Sequence, residues 1–298
     1  MRIKTKRSII VLVTMALALV ALLGIVPVAH ASNGIAKTTQ LAMCLDGSGS
    51  ISPTNWDIML DGLADAVGNP TVLPGDKVEL SIVQFADNIT TGGGARVELA
   101  PIVITDANRA GVAAAIKLID QAGGLTPLAA GIILATTQIT TSSNFSTFEW
   151  QAINISTNGN PNVPGSARQA AEDAVTAAVA AGVDEVDVEG VGTSPDTVAW
   201  MAQDLVYPDG EGGIAGAIIV NVPPDTYPPR PPSSDFMGFV RVVSDFTEYA
   251  EAIEEKIDVI TQPPAIPGMA GWGIVVAGMA MAVVAMVALR RTLAHQAR

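Results

Sequence analysis

The sequence predicts an α/β fold, one doubly wound and mostly parallel sheet with helices on both faces. Three observations carry that prediction. Short runs of strand composition alternate along the chain with longer stretches at helical spacing. The first run, residues 41–45, is continuously apolar rather than alternating, the mark of a strand covered on both faces. Glycine, proline and aspartate punctuate the changes from one kind of segment to the other.

Taken in order, residues 41–45 form the first strand, and 53–67 follow at helical spacing with Pro53 in the first turn, where its missing N–H costs nothing. Residues 78–86 have strand composition, and 96–99 add a short edge strand after the glycine turn at 92–94. Asp106 stands where it can cap a helix running to 120, with Ala110, Ala113, Ala114 and residues 116–119 as its apolar face and Gly123 and Gly124 after it. A helix over 126–137, a strand over 149–156 and an alanine-rich helix over 165–181, closed by Gly182, come next. Then follow a strand over 183–191, a helix over 195–205, strands over 215–222 and 239–243, and a helix over 245–260 that Asp245 can cap. The proline-dense insertion 223–234 reads as an irregular surface loop, because proline neither donates to a ladder nor continues a helix.

The two ends read as addresses. Residues 1–31 run from a basic head (Arg2, Lys4, Lys6, Arg7) through an apolar stretch to Ala29-His30-Ala31, the small-x-small pattern of a signal peptide cut after Ala31, with an uncleaved membrane anchor as the alternative because the apolar stretch is long for a signal. Residues 32–262 are then the folded domain, and 263–298 form a tail: a proline-containing motif, an uncharged run over 271–289, and Arg290-Arg291. Nineteen residues at ~1.5 Å each nearly cross a ~30 Å hydrocarbon core, so the tail predicts a transmembrane helix with its arginines on the cytoplasmic side. Its order resembles the sorting signals read by exosortase-type transpeptidases, with Ile266-Pro267, Trp272-Gly273 and Leu289-Arg290-Arg291 matching. Gly268-Met269 departs from that pattern, and a plain single-span anchor is the alternative.

Charge and rare residues narrow the function. Residues 32–266 hold nine Lys and Arg against all 29 Asp and Glu, a formal net charge of −20, which repels phosphate backbones and attracts cations. Nucleic acid is therefore not an expected partner. Both histidines, His30 and His295, lie in the terminal segments, so the domain lacks the imidazole that Ser/His/Asp catalysis and histidine zinc sites need. The single cysteine, Cys44, excludes an intramolecular disulfide and, inside the first strand, reads as an inert buried thiol. The acids at Asp87 and at 184–189 read as solvated acidic surface.

Ligands of open α/β sheets sit beyond the carboxyl ends of strands, and here Asp46-Gly47-Ser48-Gly49-Ser50 follows the first strand. One carboxylate and two hydroxyls at alternate positions, with glycines letting the backbone curl, suit a hard divalent cation. Thr126, in Gly123-Gly124-Leu125-Thr126-Pro127, is either a helix N-cap or a further hydroxyl ligand. Asn158, after the strand ending near 156, offers another oxygen at the same edge.

With these residues in place, the chain from about 38 to 260 resembles a von Willebrand factor type A domain, in a bacterial branch of that family. The resemblance implies a Rossmann-like fold and a metal-ion-dependent adhesion site on Asp46, Ser48, Ser50, Thr126 and Asn158, holding Mg²⁺, Ca²⁺ or Mn²⁺. It implies a protein partner whose acidic side chain completes the coordination. Asn158 stands where the family has aspartate, so the site carries one negative charge fewer and should bind its ion more weakly. Three functions follow in order of preference: an exported, surface-associated adhesion-type binding module without catalysis, a structural envelope or matrix component, and a metal-assisted surface hydrolase. The last lacks a general base, since no histidine or paired carboxylate accompanies the motif.

Overall fold

A computed structural model describes residues 38–163, 167–208, 218–221 and 238–261. The expected signal peptide, the proline-dense loop and the C-terminal tail lie outside the described residues. No helix among the described residues is long and apolar enough to cross a membrane.

The strands are β1 (Thr39–Asp46), β2 (Val78–Phe85), β3 (Ala95–Val103), β4 (Trp150–Thr157), β5 (Glu185–Val191), β6 (Ile218–Asn221) and β7 (Phe239–Val243). They form one sheet in the order β3-β2-β1-β4-β5-β7-β6. Every neighbouring pair is parallel except β2 with β3, so the sheet is mixed and mostly parallel. The helices are α1 (Pro53–Gly68), α2 (Arg109–Ile116), α3 (Leu128–Thr141), α4 (Ala167–Ala180), α5 (Pro195–Trp200), extended by a π-helical turn (Met201–Leu205), and α6 (Phe246–Thr261).

Alternation along β1 sorts the two faces. Leu41, Met43 and Leu45 pack with α1, α2 and α6 in one core, while Ala42 and Cys44 pack with α3 and α4 in the other. The small residues on the second face let α3 lie close to the sheet. A Cβ at Gly131 of α3 would stand 2.7 Å from Phe85 Cδ1 and 2.8 Å from Cys44 Sγ, so only glycine fits there.

Two helix starts differ from the sequence reading. Asp106 does not cap α2: Thr105 and Asn108 form a reciprocal turn instead, with Asn108 Oδ1 accepting the Thr105 N–H at 2.8 Å and Thr105 Oγ1 accepting the Asn108 N–H at 3.1 Å. The helix is accordingly short, starting at Arg109. Thr126 is likewise outside α3, which begins at Leu128 with Pro127 in the cap position. Asp245 does cap α6, accepting the Thr247 N–H at 2.8 Å.

The acids of β5 are a larger correction. Glu185, Asp187 and Glu189 are not solvated; each is fully buried on the face covered by α6, while Val186 and Val188 fill the opposite core. Their counter-charges come from far along the chain: Lys256 Nζ lies 3.8 Å and Arg241 Nε 4.0 Å from the Glu189 carboxylate. Trp150 Nε1 donates to Glu185 at 2.7 Å, and the Phe239 N–H donates to Asp187 at 2.7 Å. Burial pushes the Glu189 carboxyl up to about 7 against the pull of Lys256 and Arg241. Burial also lowers the Lys256 ammonium. Asp87 is exposed, as expected.

Candidate metal site

Asp46 closes β1 and is fully buried. Its two oxygens are held separately: Oδ1 accepts the Ser48 N–H at 2.9 Å, and Oδ2 accepts the Thr157 hydroxyl at 2.6 Å. Between them, Gly47 passes so near Gln84 that a Cβ would meet its Oε1 at 2.5 Å. Gln84 cannot step aside easily, because Oε1 accepts the Ala122 N–H at 2.8 Å and Nε2 donates to the Asp120 carbonyl at 3.0 Å. From Ser48 the hydroxyls run outward, with Ser48 Oγ 2.9 Å from Ser50 Oγ and Ser50 Oγ donating to Asn158 Oδ1 at 2.9 Å. Ser48 is buried, Ser50 exposed and Asn158 half-buried, so the chain leads from the interior to the edge of the sheet.

The loop carrying Thr126 is tied to this one by its backbone. Gly123 N–H donates to the Gly47 carbonyl and Gly49 N–H to the Gly124 carbonyl, both at 2.8 Å, and Asp87 N–H donates to the Leu125 carbonyl at 3.0 Å. Gln121 Nε2 adds bonds to the Ser48 and Ile51 carbonyls at 2.9 Å each. Thr126 itself is buried and pinned by Asn162, whose Oδ1 accepts the Thr126 N–H at 2.8 Å. With the cap position given to Pro127, the Thr126 hydroxyl has no hydrogen-bond partner among the described residues. The structure thus links Asp46, Ser48, Ser50 and Asn158 directly and sets Thr126 in the adjoining loop. Thr157 and Asn162 were not singled out from the sequence. Thr157 ends β4 directly before Asn158, which is the one signal that could have drawn attention to it.

Burial raises the Asp46 carboxyl above the usual carboxylate range, and the bonds from Thr157 and Ser48 oppose the shift. No Lys or Arg pairs with it among the described residues. A buried carboxylate without a cationic neighbour among the described residues, with the Ser48 and Ser50 hydroxyls leading outward from it, fits a hard cation. No group of three His, Cys, Asp or Glu side chains that could hold a metal ion occurs among the described residues, and one carboxylate is the whole formal charge of this set. Cys44 is no competitor for a soft metal: it faces α3, and burial holds its thiol well above its ordinary range.

The sequence profile of the von Willebrand factor type A domain matches residues 40–197, over half of the chain. The chain belongs to that family. No curated protein matches the sequence. Among solved structures, the von Willebrand factor A fold here is similar to the pilus adhesin SpaC from Lactobacillus rhamnosus GG, at a TM-score of 0.53 and 11% identity over 75% of this chain and 31% of SpaC. It is similar to the PilB minor pilin from Streptococcus sanguinis at a TM-score of 0.50 and 11% identity, over 77% of this chain and 63% of PilB. Proximal thread matrix protein 1 from the mussel byssus aligns at a TM-score of 0.49 and 17% identity, over 77% of this chain and 48% of that protein. The match covers less than two thirds of each of these proteins, and at such identities the likeness is one of fold.

Proposed function

We propose that the chain is an exported, surface-associated binding module of the adhesion type, in which Asp46, Ser48, Ser50, Thr126 and Asn158 hold a divalent cation. The observation that carries the reading is Asp46, a buried carboxylate with hydrogen-bond donors but no cationic partner among the described residues. A Mg²⁺, Ca²⁺ or Mn²⁺ ion held there supplies a positive charge at the edge of an acidic domain, where an acidic side chain of a partner protein can add to it. Ser48 and Ser50 orient the site through their mutual bond, and Thr157 holds Asp46 from the interior side. No catalysis is assigned, since the domain offers a single site carboxylate and no histidine. The pilus adhesin among its fold relatives is in keeping with the reading.

In the same proposal residues 1–31 direct export and 263–298 tether the domain to a membrane, at least until an exosortase-type enzyme removes the tail. Mass spectrometry of the envelope-bound protein should find chains ending between residues 263 and 272. A mature pool that keeps the peptide ending at Arg290 replaces processing with a permanent anchor.

One observation favours a structural component instead: Asn158 stands where the family has aspartate, so Asp46 is the only formal charge of the set. Binding of the purified full chain to immobilised envelope and matrix proteins separates the two. The wild type should bind in magnesium and not in EDTA, and the Ser48→Ala/Ser50→Ala variant should bind in neither. Equal binding in all four conditions removes the adhesion reading and leaves the structural one.

A further inference from the structure

Helix α3 is apolar on two sides. Its inner stripe, Leu128, Gly131, Ile132, Ala135 and Ile139, is buried against the sheet. A second stripe follows the same helical spacing and borders a groove of about 430 Å³: Ala130 and Leu134, partly buried against the same core, and the exposed Ile133 and Thr137. Ile133 is 56% exposed, in a helix whose first turns hold no charge to justify an outward isoleucine. The groove's walls are Pro127, Leu128, Ile133, Leu134, Pro161 and Val163, with Thr137 the main polar interruption. None of its lining residues is charged, in a domain of net charge −20.

The groove starts where the candidate metal site stops. Of its lining residues, Pro127 directly follows Thr126 and Pro161 lies three positions after Asn158. From Leu128 to Thr137 the wall runs ~13 Å, enough for about four residues of extended peptide at ~3.3 Å each. An acidic partner segment would be repelled by the rest of this surface, but not by a cation followed by an uncharged groove.

We infer that this groove is the second half of the binding site, so that the partner is a protein segment in which an acidic residue is flanked by large apolar ones. The inference rests on the cation reading above and names the partner's chemistry. The acidic group sits at the ion and fixes register, while the apolar neighbours fill the groove and supply most of the affinity.

Three labelled, capped peptides test it against the full chain by fluorescence polarisation: aspartate flanked by leucines, aspartate flanked by serines, and asparagine flanked by leucines. In magnesium the aspartate–leucine peptide should bind at least tenfold more tightly than the aspartate–serine peptide, the worth of about one buried leucine. Ile133→Asp, at an exposed position, should reduce that preference to within about twofold, and Ile133→Leu should keep it. If the two aspartate peptides bind equally and both let go in EDTA, the groove is overturned and the cation reading survives. Binding that ignores EDTA and the aspartate-to-asparagine change overturns the cation reading and this inference with it, as does no binding by any peptide at about millimolar concentration. Sedimentation covers the other occupant: a dimer that Ile133→Asp converts to monomer seats a second copy in the groove and overturns the proposal.

Discussion

Thr157→Val removes one hydroxyl, keeps the side chain's shape, and so tests how Asp46 is held. Thr157 is buried, and its 2.6 Å bond reaches a fully buried carboxylate oxygen. A hydrogen bond to a charged acceptor contributes roughly 1.5–3 kcal/mol net, and leaving Oδ2 without a donor in the interior places the loss near ~2 kcal/mol. Ser48 N–H still serves Oδ1, which keeps the effect from being larger. Urea unfolding in EDTA at pH 8 should show a lower midpoint with an unchanged slope. The pH dependence has a definite sign. Asp46 is raised above its unfolded value, so its share of stability is full below that value and lost as pH rises through the folded one. Removing a donor to the charged form raises the folded value further, so the deficit of Thr157→Val is greatest at pH 8 and shrinks as the pH falls. Because a bond that orients a metal ligand typically contributes 10–100-fold in affinity, the variant should also need more magnesium for the same protection. Midpoints within about 0.5 kcal/mol of the wild type at every pH, with an unchanged magnesium requirement, would refute the claim that Thr157 holds Asp46.

Two further outcomes follow from the same geometry. In ~10 mM Mg²⁺ or Mn²⁺ the full chain should melt higher than in EDTA, by ~1.4–2.7 kcal/mol for an ion affinity of ~0.1–1 mM, or roughly 3–10 °C. Asp46→Ala should abolish that gain and Asn158→Asp should enlarge it; a wild type indifferent to every divalent ion removes the cation. Glu189, raised to about 7 by burial, takes up a proton on folding between its unfolded value and that pH, so its contribution to stability is lost as pH rises through about 7. Glu189→Gln should therefore flatten the stability profile between about pH 5 and 7, by at most ~1.4 kcal/mol per unit, as read by urea unfolding across that range. An unaltered slope would show that Glu189 does not titrate there.

What could be read from the sequence was what lies close together in it. The Asp46, Ser48 and Ser50 pattern is contiguous and follows a continuously apolar run, so strand, edge and ligand chemistry could be inferred from ten residues. Its supports come from three other segments: Gln84 on β2, Gln121 after α2, and Thr157 and Asn162 at the end of β4. Each is an ordinary polar residue until the sheet brings it to the same edge, and apart from the place of Thr157 next to Asn158 no local pattern distinguishes it. The acids of β5 show the same limit from the opposite side. Glu185, Val186, Asp187, Val188 and Glu189 alternate as a strand with one wet face would, and solvation is the natural reading of such a face. Its inversion depends on Arg241 and Lys256, which lie 52 and 67 positions beyond Glu189 and arrive only when β7 and α6 pack against β5. A buried charge is tolerable only with a partner, so period-two polarity in a doubly covered sheet specifies that a counter-charge exists somewhere in the chain without saying where. For Asp46 no such counter-charge arrives within the described residues, so burial favours its protonated form, and the cation of the proposal is a second way to neutralise it, one that the melts in magnesium and EDTA distinguish.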